Sequence, residues 1–202
     1  MSKAKRTKQF IIDRTAVLFN KKGFAGTSLT DLTDATGLTK GSIYGNFHDK
    51  QEVAIAAFNH NHQILIKQIS TKMAKEQDSV GKLLAMIKAY ENICDEMLDY
   101  GGCPIINTAI DADDTNKLLH DRTIKAFADW KHSIVSILSK GKQQKEVADS
   151  VDESSIAELL IVQIEGGLAL AKATGNKSYF TNATAHARQL LDRVKARNKE
   201  MS

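Results

Sequence analysis

Residues 37–50 read GLTKGSIYGNFHDK, and Lys40, Gly41, Ser42 and Tyr44 fall within five consecutive positions of it. The chemistry such a set can do is recognition of a polyanion. A lysine ammonium reaches a phosphate oxygen or the acceptor edge of a guanine. A serine hydroxyl reaches either, a tyrosine hydroxyl reaches a phosphate, and a glycine lets backbone approach closely. Leu38, Ile43 and Phe47 supply one apolar side, so the stretch has a face to pack and a face to show. Other chemistries lack their residues. His60 and His62 are two positions apart and share no helix face. His120, His132 and His186 have no ligand-like spacing. No phosphate-binding glycine loop and no supported Ser-His-Asp set is present. The sequence therefore predicts no enzyme, no metal site and no cofactor.

The elements that must position this stretch are helices. Apolar residues recur at helical spacing, period-two alternation is scarce, and Pro104 is the single proline in 202 residues. The fold class predicted is all-α. A first helix is expected over 4–22, with Gly23 as a left-handed stop. Ser28 and Asp31 have capping-box spacing for a second helix that ends at Gly37. Thr39 caps a third, to about Asn46, and Asp49 starts a long fourth that runs to about residue 74. Two helices joined by a tight turn over about 28–47 make a helix-turn-helix. The second helix of such a pair lies in the DNA major groove. The same spacing also fits a small helical bundle with a solvated polar turn.

Charge favours the first reading. Residues 1–58 hold nine Lys and Arg against five Asp and Glu, net +4, and the remainder is neutral. A basic small domain on a neutral larger one points to a polyanion partner. No run of about 18 apolar residues appears, so no membrane span is expected. The basic start lacks an apolar signal core, and a cytoplasmic protein is expected. Cys94 and Cys103 are too few for a secreted disulfide scaffold.

GFAGTSLTDLTDATGLTKGSIYGNFHDKQEV resembles the DNA-binding domain of the TetR family of bacterial transcriptional regulators. The match runs through Gly23, Phe24, Thr27, Ser28, Gly37, Leu38, Thr39, Lys40, Gly41, Ile43, Tyr44, Phe47, Lys50 and Glu52. Thr33, Thr36 and Gly45 depart from it mildly, and Gly45 weakens its helix by up to about 1 kcal/mol relative to Ala. The resemblance implies a two-domain, all-α homodimer: an N-terminal helix-turn-helix domain over 1–50, extending to about 65, joined by the long fourth helix to a ligand-sensing and dimerisation domain over 75–197. It implies double-stranded operator DNA and a small-molecule inducer as partners. By position, Thr27, Ser28, Tyr44 and Lys50 would contact phosphates, and Thr39, Lys40, Gly41, Ser42 and Asn46 would lie at or near the groove. Lys50, beside a helix N-terminus, suits a phosphate clamp.

Beyond residue 75, helices are expected over about 80–100, 114–141, 152–174 and 178–197, with a shorter one starting at Pro104. The 152–174 segment is apolar on more than one side, so it must be buried on two faces. One face is read as core. The other is read as a dimer interface, through Ile161, Gly166 and Gly167, with Ala185, Leu190, Leu191 and Val194 of the last helix. A pocket for a moderately apolar, uncharged ligand is expected among the middle helices, with Met97, Cys103, Phe127, Trp130 and Gln163 as lining candidates. Cys103 has an alternative reading. Placed after Gly-Gly at a helix start, it could sense electrophiles or oxidants. A helical protein-interaction module with a basic N-terminus is a further alternative.

Overall fold

The computed structural model describes residues 2–196, and their regular elements are all helices, with no strand among them beyond an isolated Val147–Lys195 bridge. The helices are α1 (Lys3–Gly26), α2 (Leu29–Thr36), α3 (Lys40–Tyr44), α4 (Lys50–Met73), α5 (Ser79–Asp99), α6 (Pro104–Ala112), α7 (Lys117–Gln143), α8 (Glu153–Thr174) and α9 (Ser178–Val194). Arg197, where the sequence reading ends the last helix, lies outside the described residues. The expected all-α class is the observed one. α3 is shorter than predicted, closing at Gly45 rather than near Asn46.

The chain forms two compact units. The first holds the residues up to Leu65 together with Met97–Ala126, and the second holds Ile66–Glu96 and the residues from Phe127 on. In the first unit, α2 and α6 pack on α1. Its core gathers Ile11, Phe19, Leu32, Ile43, Phe47, Val53 and Phe58, all buried. Residues 97–126, grouped with the body in the sequence reading, thus share a unit with the helix-turn-helix.

In the second unit α8 packs along α9. Asp152 caps α8, accepting from the Ser154 and Ser155 N–H groups, and Gly175 closes it in the left-handed conformation. Leu160, Ile164 and Leu168 face Phe180, Ala187 and Leu191 in the core. Each large aliphatic side chain so buried stabilises the unit by about 1.5–3 kcal/mol. Gly167 lets the two helices approach closely, since a Cβ there would press on Phe180 Cα at 3.1 Å. By length and composition α8 would suffice to cross a membrane, contrary to the expectation that no segment is apolar enough. Its buried stripe is instead filled by residues of its own chain and includes Glu165.

Candidate nucleic-acid interface

The helix-turn-helix is built from local hydrogen bonds. Ser28 starts α2 through a capping box: its Oγ accepts from the Asp31 N–H at 3.1 Å, and the Asp31 carboxylate accepts from the Ser28 N–H at 2.8 Å. Lys22 Nζ reaches the same carboxylate at 2.5 Å. That bond, followed by those from Ser28, holds the Asp31 carboxyl far below the usual carboxylate range. Gly37 ends α2 at φ 67° and ψ 12°, and its N–H donates to the Thr33 carbonyl at 2.7 Å. The turn then hands over to Thr39, whose Oγ1 accepts from the Ser42 N–H at 3.2 Å.

This frame divides α3 into two sides. Ile43 and Phe47 are buried beneath it. Thr39, Lys40 and Gly41 are exposed, and Ser42, Tyr44 and Asn46 are half-buried beside them. A Cβ on Gly41 would meet nothing within 4 Å, so its outer side opens to solvent. Asn46 Nδ2 donates to the Ser42 carbonyl at 2.9 Å and closes the short helix. The exposed set is one ammonium, one hydroxyl and a bare backbone segment, with the Ser42 and Tyr44 hydroxyls half-buried beside it. A duplex reader uses such groups on phosphates and base edges.

Two residues assigned to phosphate contact face inward instead. Thr27 is 1% exposed, and its Oγ1 donates to the Gly23 carbonyl at 2.6 Å. It fixes the α1–α2 corner and has no surface to offer a phosphate. Lys50 Nζ donates to the Phe24 carbonyl at 2.8 Å and to the Thr27 carbonyl at 2.9 Å, and lies 4.2 Å from the centre of the Phe24 ring. Two of its three protons are engaged by carbonyls of its own chain, so in this structure Lys50 acts as an internal strut of the α1–α2 corner.

The corner that Thr27 and Lys50 fix is also held from α6. Gly23 breaks α1 at φ 72° and ψ 175°. The Phe24 N–H freed by the break donates to Asp111 Oδ2 at 2.5 Å. One turn earlier on α6, Asn107 Nδ2 donates to the Gly101 carbonyl at 2.6 Å and to Asn20 Oδ1 at 3.2 Å. Asn20 Nδ2 in turn donates to the Tyr100 and Gly102 carbonyls at 2.8 and 3.0 Å. Sequence reasoning missed Asn20 and Asp111. Asp111 follows Asn107 at i+4 on the same helix face.

The profile described as bacterial regulatory proteins, tetR family, matches residues 11–57. The profile described as tetracyclin repressor-like, C-terminal domain, matches residues 79–187. The chain belongs to the TetR family. A TetR-family transcriptional regulator from Cytophaga hutchinsonii superposes with a TM-score of 0.92 at 41% identity, over 98% of this chain and 99% of that one. An uncharacterised HTH-type regulator from the lacX 3′ region of Lactococcus lactis subsp. lactis is 27% identical over 173 residues, 84% of this chain and 85% of that one. The HTH-type transcriptional repressor DhaR of Mycobacterium sp. (strain GP1) is 20% identical over 170 residues, 84% of each chain. This TetR-family protein is a DNA-binding transcriptional regulator and not an enzyme.

In this TetR-family chain the five pocket candidates fall in different places. Met97 and Cys103 are buried in the first unit. In the second, Trp130 stacks on Tyr90, ring centres 5.5 Å apart, and its Nε1–H points to Met86 Sδ at 3.5 Å. Phe127 is half-buried. Gln163 bonds His186 on α9, Nε2 to Nδ1, at 2.7 Å. Two cavities, of 430 and 460 Å³, lie along α4 and α5 and are lined by none of the five.

The dimer candidates also divide. Leu191 and Val194 are buried against their own chain, and Gly167 is taken up by α9. A face already filled within one protomer has nothing to give a second. Gly166 and Ala185 are exposed, and Ile161 and Leu190 are half-buried. Sequence reasoning missed the larger exposed residues beside them: Leu159, Val162 and Leu170. With Gly166 they fall at spacings of three and four, a stripe along one side of α8.

Proposed function

We propose that this regulator is a repressor that binds a palindromic operator as a homodimer inside the cell and is released by a small inducer. The observation that carries the reading is the presentation of α3. Ile43 and Phe47 lock its inner side, while Thr39, Lys40, Gly41 and Ser42 stand outward, with no acidic partner on Lys40 among the described residues. The name of DhaR as a repressor supports the sign of regulation. The dimer is supported by the outward stripe of α8, Leu159, Val162, Gly166 and Leu170. Two α3 helices related by a two-fold axis would read half-sites about one helical turn apart. An inducer that prefers a differently spaced pair of heads would release the operator, and coupling of about 1–3 kcal/mol gives a 5- to 150-fold loss of affinity.

Selection of sites from random DNA, followed by binding titrations on the winner, tests the proposal. The expected product is a palindrome with half-sites about 10 base pairs apart. Lys40→Ala should weaken binding and lower the salt slope by about one, with the melting temperature unchanged. No enriched sequence from a folded dimer would sink the reading. Nothing favours electrophile sensing at Cys103: the residue is 1% exposed at the start of α6, where a reagent does not reach it.

A further inference from the structure

The 430 and 460 Å³ cavities share Lys72, Ala89 and Asn92, so they form one continuous groove. Its walls come from the last turns of α4, from α5 and from Arg188 of α9, all within the second unit. Volumes of 430 and 460 Å³ fall in the range of small-molecule sites, about 300–1,000 Å³. The floor is apolar, made by Leu84, Ala85, Ala89 and Ile93. The rim is cationic. Lys67 and Lys72 stand on α4, Lys75 follows them, and Lys88 and Arg188 close the other side.

The acids nearby do not neutralise this rim. Glu91 accepts from Arg188 Nη2 at 2.8 Å and Nε at 3.2 Å and lies 3.4 Å from Lys88. Burial penalises its charge, yet the Arg188 bonds outweigh that and hold its carboxyl below the usual range. It therefore stays ionised and committed. Glu76 is the one acid among the lining residues. Among the described residues, Lys67, Lys72 and Lys75 have no carboxylate within ion-pair distance. Five cations against Glu76 and Glu91 leave the groove at net +3. Like charges held along one groove repel, and an anion seated among them removes that repulsion. The low-dielectric floor reduces solvent screening of the rim and so strengthens the attraction.

We propose that this groove binds a small anionic amphiphile, its tail on the Leu84–Ile93 floor and its carboxylate or sulfonate head among Lys67, Lys72 and Lys75. The assignment replaces the uncharged ligand expected from sequence. It deepens the inducer-responsive reading and rests on it only for the consequence at DNA. That consequence would travel along α4, a single helix with the strut Lys50 at its start and Lys67 and Lys72 near its end.

The test is calorimetric titration of the full-length protein with decanoate, 1-decanol and decyltrimethylammonium, each below its aggregation concentration. Decanoate should bind once per chain, at least about tenfold tighter than the alcohol or the cation. The double variant Lys67→Gln/Lys72→Gln should lose at least about tenfold in decanoate affinity, with its melting temperature unchanged. Lys117→Gln, at the start of α7, should bind decanoate as the parent does. Equal affinity for decanoate and decanol, or full affinity in the double variant, overturns the site. So does a double variant that binds operator more weakly without any decanoate, because the lysines would then be DNA contacts. Decanoate binding that leaves operator affinity unchanged upholds the site and sinks the inducer-release reading instead.

Discussion

Two lysines ten residues apart show how context decides what a side chain does. Lys40 is exposed and ends in solvent, whereas Lys50 ends on two carbonyls of the α1–α2 corner. Removing Lys40 costs DNA affinity and little stability. Removing Lys50 leaves Phe24 and Thr27 carbonyls short of a charged donor, and such bonds contribute about 1.5–3 kcal/mol each. With the site half-buried, Lys50→Met should lower unfolding free energy by about 2 kcal/mol, read from urea melts. Operator binding should fall with it, because the corner sets the pose of α2 and α3. A Lys50→Met protein of parental stability that binds DNA weakly would restore the phosphate clamp. The cysteines give a second check at this scale. Cys94 and Cys103 are 7% and 1% exposed, and burial pushes the Cys94 thiol up. A thiol-specific disulfide reagent should therefore label neither in the folded protein within minutes and both after denaturation.

At the scale of elements, Gly23 and Gly37 both sit at positive φ, and the structure separates their roles. Gly37 sits at φ 67° and ψ 12°, ordinary left-handed space, with nothing near its missing Cβ. Gly37→Ala should cost about 1–2 kcal/mol, the penalty for a side chain in that region. Gly23 sits at φ 72° and ψ 175°, a region essentially reserved for glycine. A Cβ there would also run into the Asp111 carboxylate. Gly23→Ala should therefore cost more, about 3 kcal/mol or above, and should break the Asp111 bond to the Phe24 N–H. Thermal melts of the two variants decide the order, and an equal cost would mean that α6 yields freely. The contrast also marks what the sequence made legible. Capping boxes, the Gly37 stop and the Pro104 start join residues within four positions, so their spacing announces them. The Phe24–Asp111 and Asn20–Gly102 bonds join residues 87 and 82 apart, and no local pattern encodes such a pairing. The bracing bonds of Lys50 were hidden for the same reason: its partners lie 23 and 26 residues upstream.

For the whole molecule, the proposed dimer makes the faces of α8 decide whether one reading head or two reach DNA. The inner face is closed within the chain, so Leu191→Glu would unfold the second unit and say nothing of assembly. The outer face offers a fairer variant. Val162 is 64% exposed, so a glutamate there is tolerated by a single chain. In a dimer packed along the Leu159–Leu170 stripe, the same glutamate would bring two like charges together at a buried two-fold interface. Val162→Glu should therefore sediment as a monomer with parental helicity by circular dichroism. Operator affinity should then collapse further than any single contact explains. A dimer presents its second head at an effective concentration near millimolar, and losing it removes about 10²–10⁴ in avidity. The half-site contacts of α3 would survive, so the monomer should retain weak, salt-sensitive binding to a single half-site. A Val162→Glu protein that remains dimeric would move the interface off α8, to a surface such as that around the exposed Ile110 and Leu118.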